Sequence, residues 1–141
     1  MATTQFELVT PTRTLYSGEA EMVACRTVEG EIAFLADHMP YIGALDPCLV
    51  RIVGPGGGEG PEIRLAVRGG FVEVKNNQVI MLADRAVLGP EVDLEEARRD
   101  EADASQRVSD AAGDEESGGA ANADLRWAQA RMEAAVAPAG T

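Results

Sequence analysis

The sequence is poor in the side chains on which covalent chemistry and metal binding usually depend. His38 is the only histidine in 141 residues. A Ser-His-Asp triad would have to be built around it, and no Gly-x-Ser-x-Gly nucleophile turn is present. Asp37 and His38 are adjacent, and neighbours on an extended chain point to opposite sides, so they do not begin a metal cage. Glu95 and Glu96 are adjacent on an expected helix and cannot face each other across a substrate. No catalytic residue, metal ligand or cofactor is expected. The two cysteines, Cys25 and Cys48, sit in apolar stretches without Cys-x-x-Cys spacing and read as buried free thiols. Met1–Gln5 is polar and opens no signal-peptide pattern, so an oxidising compartment is not expected. Positive charge is also scarce. Twelve basic against 24 acidic side chains leave a net charge of −12, which argues against nucleic acid and anionic lipid surfaces. No apolar run approaches a bilayer span. Work at a membrane would therefore run through another protein.

What the sequence does have is strand texture over its first half. Phe6 and Leu8 alternate with Glu7 and Val9; Ile63, Leu65 and Val67 alternate with Arg64, Ala66 and Arg68, giving one dry face and one wet one. Val72 and Val74 alternate with Glu73 and Lys75. Asn76-Asn77 then supplies a two-residue turn, because Asn tolerates the positive φ such a hairpin needs. Val79–Ala83 is continuously apolar, as for a strand covered on both sides. Short strands with repeated turns predict an antiparallel β-sandwich or barrel. The Gly-rich stretch 54–61 lacks the Gly-Lys-Ser/Thr ending of a phosphate loop and reads as a hairpin tip.

After Leu88-Gly89-Pro90 the texture changes. Asp93 and Glu96 form an Asp-x-x-Glu capping box. Leu94, Ala97, Glu101, Ala104 and Val108 share one helical face. A second helix is expected over about Asn122–Val136, with Leu125, Ala128, Met132 and Ala135 on one stripe and Pro138 ending it. Between the helices, 109–121 reads as an acidic, flexible connection. The organisation expected is a β-sandwich domain over 1–88 and a helix-loop-helix domain over 89–141. The charge divides unevenly: residues 89–141 carry 13 acidic and 5 basic side chains, net −8. Thin alanine-rich stripes predict a hairpin held only marginally.

The stretch Gly30-Glu31-Ile32-Ala33-Phe34-Leu35-Ala36-Asp37-His38-Met39-Pro40-Tyr41-Ile42 resembles a loop of the epsilon subunits of F-type proton-translocating ATP synthases. It differs by Ala33 where those subunits usually have Gly. Thr10-Pro11, Leu15–Ala20, Leu49–Ile52, Gly69–Val74 and Val79–Asp84 extend the resemblance, in order and spacing, over about Phe6–Ala97. The resemblance implies a flattened sandwich of about ten short, mostly antiparallel strands followed by a C-terminal helical hairpin. It implies a non-catalytic central-stalk subunit that binds gamma, touches the c-ring and couples proton transport to ATP synthesis. By position, Glu31 is the expected c-ring contact and His38 and Met39 the expected gamma contacts.

The hairpin matches the part that extends toward the beta subunits of the catalytic head and slows ATP hydrolysis. Arg126, Trp127 and Arg131 are its expected inhibitory contacts. Some relatives bind ATP through an (Ile/Leu)-Asp-x-x-Arg-Ala motif, matched here by Val92–Ala97. Asp93 and Ala97 agree, with Arg98 and Arg99 close by, but Glu96 stands where the arginine belongs and reverses the sign of a phosphate contact. ATP binding is therefore disfavoured. The expected location is peripheral, on the cytoplasmic face of a bacterial cell membrane, with membrane contact only through the complex. The alternative reading is a free-standing β-sandwich binding module with an acidic, mobile tail.

Overall fold

The computed structural model describes residues 2–55 and 62–136. Most of the stretch read as a Gly-rich tip, and the helix stop at Pro138, lie outside the described residues. Ten strands come first: β1 (Thr4–Val9), β2 (Thr14–Ala20), β3 (Met22–Thr27), β4 (Gly30–Leu35), β5 (Tyr41–Leu45), β6 (Cys48–Val53), β7 (Glu62–Val67), β8 (Gly70–Lys75), β9 (Gln78–Ala83) and β10 (Ala86–Leu88). A 3-10 turn, Gly89–Glu91, leads to α1 (Leu94–Asp110) and α2 (Glu115–Ala135).

The strands form two layers. One runs β2-β1-β9-β8-β5, the other β10-β7-β6-β3 with β4 on the free side of β3. The layers meet at a corner where Thr27 of β3 pairs with Leu45 of β5. The β1–β9 pair is parallel, and every other described pair is antiparallel. Between the layers lies a core of Phe6, Leu8, Val23, Phe34, Ile52, Leu65, Val72, Met81 and other buried side chains, none of them later than Ala83, with Ala86 and Leu88 of β10 packed against it. The alternation of β1 and β8 is what delivers those side chains inward. The β8–β9 turn has the expected form, with Asn76 at φ 52° and Asn77 at φ 58°, which matches the right-handed twist of the strands it joins.

Three expectations are corrected by tertiary packing. β9 is not covered on both sides: Val79, Met81 and Ala83 are buried, whereas Leu82 stands 57% exposed because no described element packs on that face. Ala66 is not on a wet face, since α2 lies across the outer side of β6, β7 and β10 and buries it completely beneath Trp127, Ala130 and Ala134. The long connection over 109–121 is absent. α1 continues to Asp110 and α2 starts at Glu115, leaving four residues between them.

The helix tolerates Gly118 and Gly119 despite their low propensity, and Gly113 at φ +89° makes the actual turn. α2 is also buried on more than one stripe. It lies between α1 and the sheet, so Ala128 is buried together with the sheet-facing Trp127, Ala130 and Ala134. The Asp93 cap forms as expected, its Oδ1 accepting from the Glu96 N–H at 3.1 Å.

Candidate functional site

The loop after β4 is held from several directions. Asp37 takes a left-handed conformation, φ 60°, and donates its N–H to Asn77 Oδ1 at 2.7 Å. The next amide, that of His38, donates to the Leu35 carbonyl at 3.2 Å. The His38 Nδ1 lies 2.7 Å from the carbonyl of Met39. Its ring meets buried Phe34 edge-on, with centroids 5.0 Å apart. With His38 pinned and half-buried, Met39 projects outward, 72% exposed.

Beyond this loop, no described element covers the outer face of β5, β8, β9 and β1. Ala44, Phe71, Leu82 and Val9 are successive partners across the four strands, and Ile42, Glu73, Ile80 and Glu7 make the row next to them. Same-row partners share a face of the sheet. Phe71 is 60% and Ile42 69% exposed. Contiguous exposed apolar surface of this kind marks an interaction site. The sequence reading missed these residues, although the signal was present: if Val72 and Val74 point inward, Phe71 must point outward.

Glu31 lies elsewhere. It sits near the start of β4, opposite Arg26 on β3 and beside exposed Val28 in the β3–β4 turn. The loop with His38 follows the other end of the same strand, on the order of 15–20 Å away at strand rise. The structure thus puts the His38–Met39 loop at the entry to β5, the strand that carries exposed Ile42, and sets Glu31 toward the other end of β4.

The four residues weighed for a nucleotide do not form one site. Asp93 is committed to the cap, Ala97 is buried, and Arg98 and Arg99 are exposed. A hollow of about 300 Å³ does lie nearby, but its lining includes Glu91, Asp93 and Glu96 against Arg85 and Arg131, and neither Arg98 nor Arg99. Arg131 is already bound to Asp100 at 2.8 Å. Trp127 is 6% exposed, with Arg85 and Arg131 stacked on it at 5.5 and 5.0 Å from the ring centroid. Arg126 pairs with Asp46 at 3.1 Å. In this folded state the three residues expected to reach another subunit are therefore turned to holding the hairpin.

The cysteines are free and buried. Burial pushes the Cys25 thiol up to about 12 and the Cys48 thiol to about 11, so neither is a thiolate at neutral pH. No described helix is long and apolar enough to cross a membrane.

Comparison with known proteins gives one consistent result. The family of the ATP synthase Delta/Epsilon chain beta-sandwich domain matches residues 3–89. An ATP synthase epsilon chain of Brevibacillus brevis is 40% identical over 104 residues, 74% of this chain and 76% of that one. The epsilon chain of Halalkalibacterium halodurans is 36% identical over 136 residues, 96% of this chain and 98% of that one. Among solved structures, a chain of the Euglena gracilis mitochondrial ATP synthase, in an OSCP/F1/c-ring assembly, superposes with a TM-score of 0.77 at 23% identity. That match covers 96% of this chain and 82% of the other, and bears on the fold.

Proposed function

The chain belongs to the delta/epsilon-chain family of ATP synthases, and we propose that it serves there as the epsilon subunit, a rotor part that grips gamma with the bare face of its sandwich. The observation that carries this reading is the inequality of the two outer faces. One is covered by α2. The other leaves Ile42, Phe71 and Leu82 in water, where a partner would remove their apolar surface at about 25 cal/mol per Å². Met39 extends the same surface at its edge.

The subunit does no chemistry. Its task is mechanical: a ring driven by ion flow can turn gamma only if the parts between them rotate as one body. A closely packed sandwich suits that task because packed interiors have low compressibility and transmit strain. In this reading the Val28–Glu31 turn, at the far end of β4 from the gamma loop, rests on the polar loops of the c-ring. The protein belongs to a membrane-associated complex, and the reading puts it on the cytoplasmic face as a peripheral component.

The hairpin is read as the regulatory part, a domain over 89–141 beside the sandwich over 1–88. Extending it would expose Trp127 and Ala66 and break the Arg126–Asp46 pair and the Arg68–Asp124 pair, the latter at 2.8 Å. Only then would Arg126, Trp127 and Arg131 be free to meet a beta subunit.

The test is gamma binding. Phe71→Ser with Leu82→Ser should leave the melting temperature nearly unchanged and weaken binding to gamma at least about tenfold, since central apolar anchors dominate interfaces. Unchanged binding would overturn the docking face. Failure of the wild-type chain to co-elute with gamma would favour a free-standing module instead.

A further inference from the structure

Asn77 lies forty residues from the gamma loop in sequence, yet its side chain is the external tie that the loop backbone receives among the bonds described above. Its Oδ1 accepts from the Asp37 N–H at 2.7 Å, and its Nδ2 donates to the Thr3 carbonyl at 3.0 Å. Its own carbonyl accepts from Thr4 Oγ1 at 2.8 Å and from the Gln5 N–H at 3.2 Å. One residue thus joins the β8–β9 turn, the start of β1 and the loop after β4.

The placement is specific. Asp37 holds a positive φ, a conformation that costs a non-glycine residue and persists where surroundings fix it. The fixing bond comes from Asn77, which itself needs a positive φ to make the two-residue turn. Beyond Asp37 the chain aims Met39 outward and enters β5, the strand that carries exposed Ile42. The loop that carries Met39 is therefore anchored at one end by the Asn77–Asp37 bond and at the other by the pairing of β5 with β8.

We infer that Asn77 is a positioning residue for gamma binding, holding the His38–Met39 loop at the height of the apolar face without touching gamma through its own side chain. The inference rests on the docking reading above. A side chain that satisfies two backbone groups at once loses little further freedom when the complex forms. The loop is consequently preorganised, and preorganisation lowers the ordering cost of association.

The test uses the full chain and gamma from the same synthase. Asn77→Gly keeps the positive φ of the turn and the backbone bonds to Thr4 and Gln5 but removes both side-chain bonds. Asn77→Asp keeps an acceptor for the Asp37 N–H. Hydrogen exchange of the Asp37 amide is read in the free protein, and gamma affinity by titration. Asn77→Gly should speed that exchange about tenfold and weaken gamma binding about fivefold, the worth of one hydrogen bond, with the melting temperature little changed. Asn77→Asp should lie nearer wild type in both. The affinity loss should disappear in a His38→Ala, Met39→Ala background, because nothing is then left to position. If the His38→Ala, Met39→Ala variant binds weakly while Asn77→Gly binds normally, the role of Asn77 is overturned and the docking reading stands. If the His38→Ala, Met39→Ala variant binds gamma normally, the loop is no contact and the role of Asn77 is overturned, while the docking face itself stands or falls with the Phe71→Ser, Leu82→Ser variant.

Discussion

Gly89 lies against the carbonyl of Ala134 so closely that a Cβ on Gly89 would run into that oxygen. The contact joins the 3-10 turn after the sandwich to the last turn of α2. It is reinforced by Arg64, whose Nη1 donates to the carbonyls of Glu133 and Val136, both at 3.3 Å.

Gly89→Ala should therefore loosen the hairpin and not the sandwich. Overpacking typically costs about 1–3 kcal/mol, and here the strain is relieved by lifting the end of α2. Amide exchange in α2 should accelerate while that in β1, β8 and β9 keeps its wild-type rate. Equal acceleration in both parts would show that they unfold as one unit.

The sandwich should fold alone. The main core draws no residue from the helices, although removing them uncovers Ala66, Leu49 and Val87. A chain ending at Leu88 should show cooperative thermal unfolding at a lower midpoint than the full chain. A broad, non-cooperative transition would contradict this two-part organisation.

The hairpin should be a weak brake on hydrolysis. Its net charge of −8 opposes, at low salt, approach to any acidic surface. Arg126 and Arg131 are the only basic residues of α2, and both are engaged in the folded hairpin. Truncation before α1 should raise ATP hydrolysis by the assembled enzyme only modestly, and Arg126→Ala with Arg131→Ala should recover most of that rise. The partly exposed pairs Arg68–Asp124 and Arg126–Asp46 contribute on the order of 1 kcal/mol each. Added salt should accordingly speed α2 exchange in the wild type more than in an Arg68→Ala, Arg126→Ala variant.

Alkali should destabilise the sandwich through its thiols. Both folded-state values, about 12 for Cys25 and about 11 for Cys48, lie above the ordinary thiol value of about 8.5. The unfolded chain therefore loses these protons first. Stability from this source is complete below the ordinary value and falls as pH rises through about 9 to 12. Cys25→Ala with Cys48→Ala should lower stability at neutral pH by opening space in the core, yet flatten its decline above pH ~9. In the native protein neither thiol should react with a thiol reagent at neutral pH.

The β half was legible because its signals are local. Period-two alternation names the inward residues of β1 and β8, and two successive Asn residues name the β8–β9 turn, since both depend on the dihedrals of a few neighbouring residues. The Asp93 cap was legible for the same reason. Glu31, His38 and Met39 were picked out by a pattern in one stretch, which runs along β4 and into the loop that follows it.

Tertiary structure alone decided which apolar residues stay in water and where the second helix begins. Leu82 and Ala66 are both small pieces of apolar strand, and no local rule separates them. α2 covers one outer face and buries Ala66, while the other face is left open and exposes Leu82. Trp127 became a core residue because a sheet lay beneath it. The glycines of α2 were carried into a helix because packing on a neighbour outweighs propensity. The Asn77–Asp37 bond spans forty residues, and a bond between distant segments exists only once strand pairing has brought their backbones side by side.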